Sequence, residues 1–296
     1  SVAKSFNVSE PLLAVSLETR SGEIAQNVVA AGSHVTMVLN WKNNLPVAVH
    51  NAIIELEVSG RGIDLKTLEG DDGDFRAETS SLQWIGGRIP ELANIEPGAS
   101  GSFGITYAVA KDIPVRNSAD KNFTIRFVAS MKTQEIPQGF QGVDISGRAE
   151  KEERVVTRPI FSQKGYYFDT QIPNSGPFPP RVGKETTFVV TWSLVNNFND
   201  IDGVSVRATL PSYIRWVGTT VPASVAITFD PATRELTWSP GTIAAGTGFI
   251  NPAREIEFQI GLTPSVPQIG ELPELVSDAV LRAHDTFTNR DFNITE

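Results

Sequence analysis

Ala31-Gly32-Ser33-His34-Val35-Thr36-Met37-Val38-Leu39-Asn40-Trp41, with Asn43-Asn44 close behind, returns 151 residues later as Val182-Gly183-Lys184-Glu185-Thr186-Thr187-Phe188-Val189-Val190-Thr191-Trp192, with Asn196-Asn197 close behind. Ser81-Leu82-Gln83-Trp84 likewise answers Glu235-Leu236-Thr237-Trp238, at an offset of 154 residues. A repeat of this period means two copies of one fold in tandem. It weighs against a single active site assembled across the whole chain. A tryptophan that recurs at the same strand position is most simply a core residue of that fold.

Working outward from these strands, alternation of period two dominates the chain. Val35, Met37, Leu39 and Trp41 alternate with Thr36, Val38, Asn40 and Lys42; Ile54, Leu56 and Val58 alternate with Glu55, Glu57 and Ser59. Val204, Val206, Ala208 and Leu210, and then Ile256, Phe258, Ile260 and Leu262, repeat the pattern in the second half. Such alternation makes half-buried strands, one face on a core and one in water. No window carries a capped helical stripe, and the 19 Pro and 24 Gly fall between the strands. The chain is therefore expected to be all-β, two tandem antiparallel immunoglobulin-like β-sandwiches. Asp230-Pro231 opens an expected hairpin between strands 225–229 and 235–238, and Asp71-Asp72-Gly73-Asp74 marks a longer loop at a similar place in the first copy.

The charged, turn-rich stretch 147–158 sets the expected boundary, with one module over 1–155 and the second over 156–296. The aromatic strand 161–168 opens the second module, as 11–18 opens the first. The proline-rich stretch 173–180 lacks ladder donors, and it is expected to carry the chain from one sheet to the other. Few residues separate Val155 from Pro159, so the linker is short.

Composition narrows the function classes. The 296 residues suffice for two ordinary cores. The formal net charge is −9, and basic residues are scattered singly, which argues against nucleic acid or an anionic membrane as the main partner. The absence of cysteine removes disulfides, zinc-thiolate sites and thiol catalysis. No apolar run reaches the roughly 18 residues of a membrane span. The chain begins at Ser1 rather than Met and is expected to be a fragment of a larger membrane-anchored protein, with export signal and anchor outside it.

The second copy resembles the conserved-repeat surface domain (domain of unknown function 11 type) of bacterial and archaeal envelope proteins. The resemblance rests on the Gly-led strand from Gly183 to Asn197, the Val-rich strand from Val204 to Leu210-Pro211, Leu236-Thr237-Trp238, Gly241-Thr242-Ile243-Ala244-Ala245-Gly246, and the closing strand from Leu275 to Asp285. The first copy departs from it. Ser59-Gly60 stands where Leu-Pro is expected, and 87–98 replaces the short Gly241–Gly246 turn, although Ile95-Glu96-Pro97-Gly98-Ala99-Ser100 repeats its idea. The resemblance implies an extracellular, often anchored stalk or envelope component whose partners are other surface proteins or copies of itself. No cofactor is expected, apart from a candidate calcium ion.

Candidate chemistry is sparse, and no enzyme is expected. His34, His50 and His284 show no metal-ligand spacing, and no hydrolase, phosphate-loop or zinc-protease motif occurs. Asp71, Asp72 and Asp74 are the candidate calcium ligands, since calcium favours several oxygens on a flexible loop; a solvated turn is the simpler reading, because the EF-hand spacing fails. Asp200 and Asp202 form a weaker candidate. Trp216 has no counterpart in the first copy and is the candidate ligand-contacting aromatic; Tyr166 and Tyr167 are further candidates for a sugar platform. Asn7, Asn122 and Asn293 head N-glycosylation sequons. Three readings follow: a non-catalytic surface spacer that contacts other proteins, an adhesin or glycan-binding module with or without calcium, and an accessory segment of a secreted hydrolase.

Overall fold

The computed structural model describes residues 10–223 and 227–296. Val225, where the first strand of the expected hairpin begins, and the Asn7 sequon lie outside the described residues. The chain divides into two compact units. Unit 1 holds the described residues up to Ile113 together with Phe123–Val155; unit 2 holds Pro114–Asn122 and Val156–Glu296.

Unit 1 comprises β1 (Leu13–Ser21), β2 (Glu23–Ala25), β3 (Val28–Ala30), β4 (His34–Asn43), β5 (Val49–His50), β6 (Ala52–Ser59) and β7 (Ile63–Gly70). It continues with β8 (Asp74–Arg76), β9 (Ser81–Ile85), the one-turn helix α1 (Pro90–Ala93), β10 (Asn94–Ile95), β11 (Ser100–Val109), β12 (Thr124–Thr133) and β13 (Gly147–Val156). Unit 2 comprises β14 (Ile160–Tyr166), β15 (Thr186–Val195), β16 (Ile201–Thr209), β17 (Ile214–Val221) and β18 (Ile227–Asp230). β19 (Glu235–Trp238), β20 (Arg254–Leu262), β21 (Val280–Asp285) and β22 (Arg290–Thr295) complete it. The helix went unforeseen because a single turn begun by Pro90 leaves no apolar periodicity to read.

The two units share one topology. One sheet runs β1-β4-β11-β7 in unit 1 and β14-β15-β20-β17 in unit 2. The other runs β8-β9-β6-β12-β13 in unit 1, extended past β13 by β3 and β2, and β18-β19-β16-β21-β22 in unit 2. These orders match the two sheets of an immunoglobulin-like sandwich, with an extra hairpin beside the third strand. The fold is therefore all-β, two antiparallel sandwiches in tandem. Register confirms the repeat: Trp84 stands opposite Ile54 on β6, and Trp238 opposite Val206 on β16.

Three of the four repeated tryptophans bridge the sheets of their own unit. Trp84 stacks on Phe103 of β11 with centroids 4.9 Å apart. Trp238 meets Trp192 at 6.3 Å, and Trp192 meets Phe258 edge-on at 5.1 Å. Trp84, Trp192 and Trp238 are fully buried. Truncating one to alanine would cost about 3–5 kcal/mol.

A second repeated device is polar. Asn43 ends β4, Asn196 follows β15, and both are completely buried. The Asn43 amide donates to the Val47, Ile95 and Glu96 carbonyls at 3.0, 3.0 and 3.3 Å. The Asn196 amide donates to the Asn199, Ile243 and Ala244 carbonyls at 2.6, 3.3 and 3.3 Å. Each side chain thus clasps the turn after its own strand to the loop that enters the neighbouring strand of the sheet, β11 or β20. The backbone N–H groups follow suit, Asn43 donating to Ala99 O and Asn196 to Thr247 O, each at 2.9 Å.

Three expectations are corrected. The stretch 173–180 does not cross between sheets; it joins β14 to β15, neighbours in one sheet, and part of it folds over that sheet's outer face. Gln259 there donates to Pro173 O at 3.1 Å and Asn174 Oδ1 at 2.9 Å, which explains why Val189 and Gln259 are buried on the side that alternation assigns to water. The acidic stretch 71–74 joins β7 to β8, so the counterpart of the Asp230 hairpin is the turn between β8 and β9, where Arg76 pairs with Ser81. The segment Pro114–Asn122 interrupts the sequence of unit 1 yet belongs to unit 2, where Lys121 pairs with Asp200 at 2.6 Å and Asn122 N–H donates to Phe198 O at 3.1 Å.

Candidate functional site

The three carboxylates of the acidic loop point to separate tasks. Asp71 locks the loop to β11: its N–H donates to Gly104 O at 2.9 Å, and its Oδ2 accepts the Gly104 N–H at 3.0 Å. Its carbonyl accepts the Trp84 indole N–H at 2.7 Å, so the loop supplies the partner a buried tryptophan needs. Asp72 sits exposed at a positive φ, and Asp74 is ion-paired with Arg88. Among the described residues no group of three or more His, Cys, Asp or Glu side chains is arranged to hold a metal ion. Asp200 accepts from Lys121 and from the Ala245 N–H. Burial pushes its carboxyl up, but these two partners outweigh it and hold it below the usual aspartate range.

Trp216, the candidate ligand-contacting aromatic, lies on β17 and is half-buried. It stacks on Phe229 at 6.0 Å and tilts against Phe258 at 5.6 Å, as an outlying member of the unit 2 core.

His34 and His50 are exposed. His284 hydrogen-bonds Asp291 at 2.8 Å, a contact that raises its pKa from the usual imidazole value. In the register of β21 and β22 these two residues stand directly opposite.

Tyr166 and Tyr167 end β14 and begin the loop over the outer face of its sheet. Tyr166 is exposed, while Tyr167 stacks on Phe178 at 4.4 Å and donates its hydroxyl to Gly176 O at 2.9 Å. Phe168, next in sequence, is 81% exposed, high for so large an apolar side chain. With Asp169, Thr170, Pro173 and Asn174 these rings edge an open cleft whose floor carries Thr191 and Glu257. The sequence offered the aromatic run but not Glu257, which lies on the polar side of an ordinary alternation. Nothing local marks it as covered by a loop some 85 residues earlier.

No protein-family model matches the chain, and no curated protein matches it in sequence. Among solved structures it is similar to the C-terminal domain of the Streptococcus pyogenes antigen I/II-family protein AspA. The identity is 10%, the TM-score 0.39, and the match covers 96% of this chain and 97% of that one. It is also similar to the Streptococcus agalactiae AgI/II polypeptide BspA C-terminal domain at 10% identity and a TM-score of 0.35, covering 95% and 98%. Part of the chain, 52%, is similar to the whole of a chain from a Clostridium thermocellum type I cohesin–dockerin complex, at 12% identity and a TM-score of 0.31. At these identities and scores the likenesses assign neither activity nor partner. No helix among the described residues is long and apolar enough to cross a membrane.

Proposed function

We propose that this chain is a non-catalytic structural segment of a bacterial cell-surface protein, two β-sandwich modules acting as a spacer that contacts other surface proteins. The observation that carries this reading is the repetition itself. Two units share strand order, register, tryptophan bridges and asparagine clasps, so the features common to both copies serve packing rather than a reaction. The reading places unit 2 with the conserved-repeat surface domains that its sequence resembles. Exposed apolar side chains on the loop after β20, among them Val266, Ile269 and Leu272, supply surface for protein contact.

Antibodies raised against the chain test the location on the producing cells. The proposal expects labelling of intact cells and loss of the label after protease treatment of whole cells. Labelling that appears only after permeabilisation contradicts it.

A further inference from the structure

The cleft beside β14 has features that packing does not explain. It measures about 630 Å³ and lies open over the outer face of the β14-β15-β20-β17 sheet. Thr191 and Glu257, its floor, stand opposite each other on β15 and β20. Tyr166 and Phe168 line it, exposed by 42% and 81%. The Asp169 Oδ1 accepts the Gln171 and Ile172 N–H groups at 2.8 Å each, which fixes the carboxylate at the rim.

Glu257 is the unexplained group. Its Oε2 is shielded from solvent and has no hydrogen-bond partner. A shielded polar atom left without a partner is costly, and more so when charged. Among the described residues neither Asp169, Glu255 nor Glu257 is ion-paired. Glu255 is engaged by the Ser193 hydroxyl at 2.8 Å, and Lys164, opposite Thr191 on β14, pairs with none of the three.

We propose that this cleft binds an organic cation, an ammonium or guanidinium group on an apolar stem, with Glu257 and Asp169 facing the charge and Tyr166 and Phe168 facing the stem. The exposed rings pack against the apolar stem, and the carboxylates supply the charge with a counter-charge. Burial, then the neighbouring charges of Asp169 and Glu255, push the Glu257 carboxyl above the usual glutamate range. A cation offsets both the cost of the shielded charge and the repulsion among the carboxylates. A neutral sugar also favours aromatic faces and can donate a hydroxyl hydrogen bond to Glu257, but it brings no counter-charge to two carboxylates that have no ion-pair partner among the described residues. The same chemistry is offered by a free amine and by a lysine or arginine side chain of a polypeptide. This inference goes beyond the spacer reading and does not depend on it.

Nitrogen–proton NMR spectra of the full chain, titrated at constant ionic strength, provide the test. The probes are butylammonium chloride, a blocked peptide with a central lysine, and methyl glucoside. The proposal expects saturable shifts at residues around 166–174, 191 and 257 with one or both amines and none with the glycoside. Glu257→Gln, which keeps the side-chain shape, and Phe168→Ala, which removes an exposed ring, are each expected to weaken binding about tenfold or more. A peptide that binds more tightly than butylammonium identifies a polypeptide side chain as the source; equal affinities identify a free cation. The proposal is overturned if neither amine saturates, if the shifts fall elsewhere, if both variants bind like the parent chain, or if the glycoside alone occupies the cleft.

Discussion

Asn43 and Asn196 show how one side chain secures a loop crossing in both units. Each donates two protons shared among three carbonyls, and each is completely buried. Asn43→Ala and Asn196→Ala should each destabilise their own unit by about 3 kcal/mol, because the carbonyls lose their donor inside the fold. Urea unfolding of each variant checks this; a loss below about 0.5 kcal/mol would show the clasps to be incidental. Glu153 presents the opposite case. It is wholly buried on β13, where it accepts from the Tyr107 hydroxyl and, at 3.1 Å, from the Thr19 hydroxyl. Burial pushes its carboxyl above the usual glutamate range despite these donors and Lys151. The folded chain then holds the proton more tightly than the unfolded chain does. That stabilisation is complete below the ordinary glutamate pKa and is lost as pH rises from there through the raised folded value. Glu153→Gln should remove this pH dependence from unit 1 and raise its stability at neutral pH. Urea midpoints measured across that window, parent against variant, give the answer, and parallel curves would contradict it.

The strands were the legible part of the sequence. Alternation located β4, β6, β15, β16 and β20, and Asp230 with Pro231 announced the turn between β18 and β19, where Asp230 accepts the Ala232 N–H at 2.8 Å. What stayed hidden depends on chain segments meeting from far apart: the clasp from Asn43 to Ile95, the cover that Pro173 and Asn174 place over Gln259, and the association of 114–122 with unit 2. The surroundings of the candidate residues were hidden for the same reason. Nothing in Asp71-Asp72-Gly73-Asp74 reveals that Gly104 and Arg88 engage two of its carboxylates, or in Trp216 that Phe229 lies against it. Glycines were legible as breakers but not as contacts. Gly22 and Gly176, each at φ +95°, follow the first strand of their units, and a Cβ on either would lie 2.2 Å from a backbone carbonyl, that of His34 or Glu185. Gly22→Ala and Gly176→Ala should therefore cost about 3 kcal/mol each, from left-handed strain plus the forced shift of the facing strand. Gly87→Ala, with open space around the added methyl, should stay within about 0.5 kcal/mol. Thermal or chemical denaturation of the three variants checks the contrast, and an equal effect at all three positions would refute the close-approach account.

The molecule as a whole is one topology used twice. Each copy closes its own hydrophobic core around its own tryptophans, and the differences gather in connections: the added β2-β3 hairpin and α1 in unit 1, the aromatic loop with its cleft in unit 2. Shared strands carry the fold and unshared loops carry whatever recognition the chain performs. If the chain serves as a spacer made of two self-sufficient modules, each must hold its structure without the other. Single-molecule stretching of the full chain tests this most directly. The account predicts two separate unfolding events, each releasing about 45–50 nm of chain, the extended length of some 140–150 residues. One cooperative event that releases about 100 nm would contradict it.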